Sequence, residues 1–499
     1  MLRKGSAEPP QPSFGDLAWA RVVPPEHELL RMKRAVDWSF VDETLARHYD
    51  AAQGRPGYPP QLLIRMLYLE VYANLSDRQV AEQVAYNLLY REFVGLSLEE
   101  PGPDDTTLVR FRQRVGEEGL RTIFDRLAAA AKAAGLVGAT KRVTDGTHVL
   151  ANVALRGMAS LLRHGRTVVL RALAQDDAAE AARLAERYAG ETQAADGDEA
   201  GRIAREARRC EELLAELGEG HGEAVQERAD QLRRVLQRRR EPAGEKTTDA
   251  PVSFADPDSR FGYKAKDVCF CGYKIHQVLD PDSRLVLSVE TLPGNANEAV
   301  EVGTLISGET GGLPEGAAVI GDGLYGNTTA AGQVEAAKGV PVFAGMQLPR
   351  VSDRFSYEAA TDQMVCPEGQ RSIGSIEQEN GRLYYFSMRD CTGCPRKTQC
   401  LTPSELTGAQ RRRVYLSHFR KPKVVAGEAG KQWRRSLYRE RYTIEGKHAE
   451  QKDRHGLRRA RYWGLAKVSL QAIITATVTN LKRLTKLLAP GQRLVPQSG

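Results

Sequence analysis

Tyr438-Arg-Glu-Arg441-Tyr-Thr-Ile-Glu445-Gly-Lys-His-Ala-Glu-Gln-Lys452 is the stretch on which the reading of this chain turns. Tyr438, Arg441, Glu445 and Lys452 stand at i−7, i−4, i and i+7 around the glutamate. At 3.6 residues per turn these positions share a narrow arc, so one helix face presents a carboxylate flanked by two cations. Glu450 lies about 140° round from Glu445, and Glu440 is also off the face, which makes Glu445 the better choice. Two further acids stand in suitable settings. Asp145 sits in Arg142-Val-Thr-Asp-Gly-Thr-His148, which reads as a strand, and Asp322 follows the apolar run Ala317-Ala-Val-Ile320. Taken singly, each aspartate precedes a glycine and is equally well a turn residue. Together with the Glu445 helix they suggest a divalent-metal site for phosphodiester chemistry, in which oxygen ligands suit Mg²⁺.

The chain has 499 residues, enough for two or three domains with real cores. No run approaches the roughly 20 apolar residues of a membrane span, and Met1-Leu-Arg-Lys-Gly-Ser6 lacks an apolar secretory core. A soluble, intracellular protein is expected, with its seven cysteines reduced or metal-bound rather than paired. Charge is unevenly placed. From Glu405 onward there are 22 Lys and Arg against 6 Asp and Glu, a local +16 that leaves −9 elsewhere in a chain of net +7. A solvated basic surface is the plain alternative. Coincidence with the Glu445 helix favours a polyanion partner, since each cation seated on a phosphate releases a counterion.

Residues 1–25 are Pro-rich and read as a poorly ordered arm. From about 38 to 134 the pattern is helical. Residues 62–71 form an apolar helix, and Ser76-Asp-Arg-Gln79 is a capping box opening a helix over 80–96. A turn at 101–107 leads into a helix over 108–115, where Arg110, Arg112 and Arg114 surround Phe111 and Val115. This is either a DNA-reading helix-turn-helix or a bundle with a solvated arginine face. Residues 159–251 form an insert rich in Ala, Glu, Arg and Leu. Amphipathic helices over 205–217 and 227–236 suggest a helical hairpin there, with Cys210 as a small buried residue. Strands follow at 269–279 and 284–290 around an Asp280-Pro-Asp-Ser283 turn, then at 317–320 and 340–343, with a helix over 328–338 between the last two. The fold class is α/β with a mixed sheet.

Cys366, Cys391, Cys394 and Cys400 lie within 35 residues, and Cys-x-x-Cys with two outlying cysteines is compatible with a tetrahedral structural Zn²⁺. Four reduced thiols, or a redox pair at Cys391 and Cys394, are the alternatives. Beyond the glutamate helix, Arg458, Arg459 and Arg461 are candidate DNA-backbone contacts. The neighbouring Tyr462 and Trp463 either stack on an unpaired base or close the core.

The spacing Tyr-(2)-Arg-(3)-Glu-(6)-Lys, unbroken from Tyr438 to Lys452, resembles the DDE transposases of bacterial insertion sequences; the resemblance runs from about 40 to 484 and is weakest over 159–251. It implies an RNase H-like catalytic domain over 136–488, holding the 159–251 helical insert and a Cys-rich insert at 350–405. A helical DNA-binding domain over 26–135 precedes it, and a tail at 489–499 follows. Asp145, Asp322 and Glu445 would be the catalytic ligands of Mg²⁺ or Mn²⁺. Arg441 and Lys452 would hold the DNA backbone, and Tyr438 would orient a phosphate or pack. The implied reaction is cleavage at the terminal inverted repeats of the element followed by strand transfer into target DNA. It would run in the bacterial cytoplasm at the nucleoid, by a homodimer or larger assembly. Two other readings share these residues: an RNase H-like nuclease that does not join strands, and a silent DNA-binding derivative.

Overall fold

The computed structural model describes residues 21–49, 57–190, 198–218, 220–240, 249–265, 268–297, 302–309, 317–322, 325, 342–344, 355–378, 381–417 and 439–497. The helix expected over 328–338 and the residue Tyr438 lie outside them.

The described N-terminal region carries helices α1 (Glu28–Arg34), α2 (Ser39–Leu45), α3 (Pro60–Tyr72), α4 (Asp77–Tyr86), α5 (Leu88–Val94) and α6 (Asp105–Ala133). The capping box at Ser76 and Gln79 is formed and starts α4. The single helix expected over 80–96 is divided. Asn87 leaves the helical region, its side chain caps α5 by accepting from Tyr90 N, and Gly95 ends α5 at φ 87°. Asp104 caps α6, which runs 29 residues with a break at Gly116 (φ 62°). The arginine-bearing helix expected over 108–115 is therefore the first limb of a long bent one.

Strand β1 (Lys141–Leu150) is followed by four helices: α7 (Met158–Asp176), α8 (Ala178–Tyr188), α9 (Glu199–Glu216) and α10 (Glu223–Arg240). The hairpin expected in this insert is thus one half of a four-helix unit. The unit has a core of its own in which Cys210, Leu213, Leu232 and Phe254 are buried together. Strands β2 (Arg260–Ala265), β3 (Val268–Leu279) and β4 (Val286–Pro293) resume the sheet, and after the short helix α11 (Val302–Ser307) come β5 (Ala318–Gly321) and β6 (Val342–Ala344).

The sheet order is β2-β3-β1-β5-β6, with β4 also on β3. β1 runs antiparallel to β3 and parallel to β5. This is a mixed α/β sheet consistent with the RNase H-like fold. The strand crossing is tight: a Cβ on Gly272 would sit 2.0 Å from Val149 O, so only glycine fits where β3 meets the end of β1.

A smaller unit follows, with strands β7 (Ser356–Glu358), β8 (Gln363–Val365), β9 (Gly374–Gln378) and β10 (Gly381–Tyr385). Short helices α12 (Met388–Thr392), α13 (Lys397–Cys400) and α14 (Pro403–Thr407) lead to β11 (Arg413–Ser417). Phe355, Met364, Tyr384 and Phe386 make its core, with Cys366, Cys391 and Cys400 packed on it. The chain closes with α15 (Tyr442–Arg454) and α16 (Leu465–Leu487). α16 is buried along most of its length and packs on β4, α6, α3 and α1, so the N-terminal helices and the sheet share one continuous core. Among the described residues no helix is long and apolar enough to cross a membrane.

Candidate active site

Asp145 lies in the middle of β1 and is nearly buried, at 9 % exposure. β1 and β5 pair in parallel with Val143 opposite Ile320. Counting two residues further along each strand puts Asp145 level with Asp322, which follows the last residue of β5. Neighbouring strands are about 4.8 Å apart, so the two carboxylates start one strand spacing from each other. Glu445 is in the first turn of α15 and is more than half exposed. The helix packs on β1, which brings its first turn to the strand.

Arg441, the residue before α15, joins the two elements. Its Nη1 is 2.6 Å from Glu445 Oε1 and its Nη2 is 3.3 Å from Asp145 Oδ2. The neighbouring Glu440 is taken up by Lys141 at 2.6 Å, and Glu450 by Lys482 at 2.6 Å. Burial acts to raise the Glu450 carboxyl, but His455, Lys447 and Lys482 outweigh it and hold the group well below the usual carboxylate range. Both competing acids are thus fixed elsewhere. Lys452 is pushed down to about 8 by burial and by the like charges of Lys264 and Arg458, the mark of a cation crowded by other cations.

A layer that the sequence did not reveal lies beneath the carboxylates. Thr144 Oγ1 and Tyr325 Oη stand 3.0 and 2.7 Å from Nε2 of His276, so one imidazole ties the residue beside Asp145 to the turn after Asp322. Tyr325 N in turn donates to Asp322 O at 3.2 Å. Gly321 allows this packing, because a Cβ there would meet the Tyr325 ring at 2.6 Å. Burial pushes His276 down to about 3, and His448 on α15 is pushed down to about 3 by burial and by Lys452, His276 and Arg441. Both rings are neutral at physiological pH. No local spacing signals these contacts, which join residues 132 and 49 positions apart.

The expected DNA contacts divide into two groups. Arg110 and Arg114 are exposed, Arg114 lying over the Tyr49 ring at 4.8 Å. Arg112 is buried: it pairs with Glu70 at 3.0 Å and Asp77 at 2.5 Å and stacks on Tyr462. Arg461 meets the same Glu70 at 2.9 Å and Asn74 at 2.7 Å. Both are corrected to structural residues, because their guanidinium groups are spent joining α3 and α6 to the segment between α15 and α16. Tyr462 packs in that joint. Arg458 and Arg459 stay exposed, on a segment anchored to β1 by Leu150 N to Arg458 O and Ala460 N to Leu150 O. Trp463 keeps 53 % exposure while its Nε1 donates to Asn152 O.

Carboxylate oxygens are the donors a hard divalent cation takes, and the Arg441 guanidinium is a positive group already held between two of them. The donor chemistry fits Mg²⁺ or Mn²⁺, although as the side chains stand no three metal-capable groups among the described residues converge on one point. The same holds for Cys366, Cys391, Cys394 and Cys400. They line one cavity of about 280 Å³ without closing into a ligand set. Burial raises the Cys391 and Cys400 thiols, which disfavours a reactive thiolate.

Two comparisons with protein families bear on this arrangement. Residues 18–114 match a model described as a transposase domain (DUF772), and residues 365–485 match one described as a transposase DDE domain. The second match takes in the four cysteines, Arg441, Glu445, Lys452 and most of α16, while Asp145 and Asp322 lie between the two. The family uses divalent metal ions, and its substrate is DNA. The chain is thus similar to a transposase domain at one end and to a transposase DDE domain, which spans the glutamate helix, at the other.

Proposed function

We propose that this enzyme cuts DNA at the terminal inverted repeats of its element and joins the freed 3′ ends to target DNA, using Asp145, Asp322 and Glu445 as its catalytic carboxylates. The observation that carries the reading is the meeting of Asp145, level with Asp322 on the next strand, and Glu445 across the Arg441 guanidinium. Asp145, Asp322 and Glu445 would hold Mg²⁺ or Mn²⁺. When bound, such ions activate a water or 3′-hydroxyl and stabilise the leaving oxygen. Asp145 and Asp322 are set by the sheet and the His276 tie, so the strand pair is rigid and the exposed Glu445 completes the site from the helix. With the carboxylates taken up by a cation, Arg441 would be available to pair with a DNA phosphate, and Lys452, Arg458 and Arg459 would extend the backbone track. A phosphate beside Lys452 would offset the like charges of Lys264 and Arg458 that, after burial, depress it.

In the same reading, residues 26–135 bind the element ends through Arg110 and Arg114, and 136–488 is the catalytic domain. The 159–251 and 350–405 segments are inserts in it, and the four cysteines close around one structural Zn²⁺. The protein works at the nucleoid as a dimer or larger, since two ends must be paired. The test is incubation of the protein with end-labelled DNA carrying the element termini, Mg²⁺ or Mn²⁺, and a target plasmid. Joined products support transposition. Cut but unjoined ends support the nuclease, and binding without cutting supports a silent derivative.

A further inference from the structure

Behind the glutamate helix, α15 and α16 enclose a cleft of about 410 Å³. From α15 it is lined by Lys447, Glu450 and Arg454, at i, i+3 and i+7. From α16 come Lys482, Arg483 and Lys486, and Glu28 at the start of α1 closes the end. Five cations thus face two carboxylates. The carboxylates are already engaged: Glu450 by Lys482 at 2.6 Å and Lys447 at 3.4 Å, and Glu28 by the Tyr72 hydroxyl at 2.9 Å. Arg454 and Lys486 are exposed at the rim, and among the described residues neither has an ion-pair partner. Lys447 has a side chain only 6 % exposed. Burial lowers its pKa, and Lys482 and Arg483 add to that against the pull of Glu450. A concave site with surplus positive charge, one lysine buried in its wall and two exposed cations at its mouth, is built for an anion.

We propose that this cleft is a second nucleic-acid site, seating a backbone phosphate of a DNA segment other than the one held against Asp145 and Glu445. The separation follows from helix geometry. Lys447, Glu450 and Arg454 lie about 140–200° round α15 from Glu445, so the cleft opens away from the carboxylates. A stiff duplex lying along the Glu445 face does not also reach the opposite side of the helix. The segment in the cleft is therefore a separate stretch of DNA, as expected where several DNA segments are held at once. The inference rests on the chain acting on DNA and is independent of which residues cut it.

The test is the double charge reversal Arg454→Glu with Lys486→Glu, with folding checked by circular dichroism and melting. Duplex binding is followed by fluorescence anisotropy from about 50 to 200 mM salt. The slope of log affinity against log salt should shrink by roughly 0.9 for each phosphate no longer neutralised, with affinity falling about tenfold, while single-turnover cleavage of saturated ends is unchanged. An unchanged slope and affinity overturns the proposal. If the reversal unfolds the chain, Arg454→Gln and Lys486→Gln singly should each give part of the slope change, and no change in either overturns it. A third arm adds inorganic phosphate without DNA. Stabilisation of the wild type but not the variant, with an unchanged DNA slope, would make this a free-anion site and refute the DNA assignment. A wild type that binds but does not cut would count against the catalytic reading and leave this binding comparison intact.

Discussion

Asp145 on the central strand and Glu445 on the following helix share one guanidinium, that of Arg441, at 3.3 and 2.6 Å. Two carboxylates 300 residues apart in the chain are thereby held near one another by a positive charge. Because Glu445 is more than half exposed, this pairing is worth at most about 1 kcal/mol to the fold. Arg441→Gln should therefore leave the melting temperature nearly unchanged and cut single-turnover DNA cleavage by about a hundredfold or more, as removal of a group that stabilises the transition-state phosphate does. A large drop in melting with normal cleavage would reverse the assignment.

Arg112 gives the opposite pattern. It is buried with Glu70 and Asp77, and its removal takes from Asp77 its paired cation and leaves Glu70 with Arg461 alone. Burial already raises Glu70 to about 7 despite Arg112 and Arg461. Arg112→Ala should destabilise by about 3–5 kcal/mol in denaturant titrations. Arg110→Ala or Arg114→Ala should weaken DNA binding with little loss of stability. Equal stability in all three variants would show that the Glu70 joint is not structural.

His276 and His448 fix the acid limit. Their folded pKa values, about 3, are depressed below the roughly 6.5 of an unfolded histidine. As pH falls from about 6.5 toward 3 the unfolded chain binds protons that the folded chain refuses, so their contribution is complete above about 6.5 and is lost on acidification. Melting temperature should fall across that window. The fall should be shallower in His276→Gln, whatever its melting temperature at neutral pH. Parallel pH profiles for variant and wild type would show that His276 does not titrate as buried.

Closing of the four cysteines around a metal is a further expectation. Protein purified without chelator should carry one zinc per chain by elemental analysis, and Cys391→Ser should lose it and lower the melting temperature. Metal-free protein of normal stability would leave Cys366, Cys391, Cys394 and Cys400 as plain thiols around their cavity.

The parts of this molecule that were legible in sequence are those whose geometry is local. Arg441 and Glu445 meet because residues four apart on a helix face one another, and the Ser76 cap forms for a similar reason. Asp145 and Asp322 were legible as acids at strands, but only the β1–β5 register sets them level. The Thr144–His276–Tyr325 tie is made by residues whose own neighbourhoods carry no mark of it. Arg112 misled because alternate arginines on a helix look solvated until the acids of α3 and α4 are placed beside them. The insert was half read: Arg205-Glu-Ala-Arg-Arg-Cys210 advertises an amphipathic helix, but so does α8, whose Ala181, Leu184 and Tyr188 form an equally periodic buried face that the sequence reading passed over. The stripes facing the rear cleft, at 447/450/454 and 482/483/486, were periodic in sequence but meaningless until the two helices were paired.

The most direct test takes Asp145→Asn, Asp322→Asn and Glu445→Gln one at a time and measures both binding and strand transfer on element ends with Mg²⁺. Each variant should bind the ends within about twofold of wild type and lose joined product by about a thousandfold or more, since each amide removes one oxygen ligand without removing a DNA-binding cation. Full strand transfer by any one of the three would contradict the account and remove that residue from the active site.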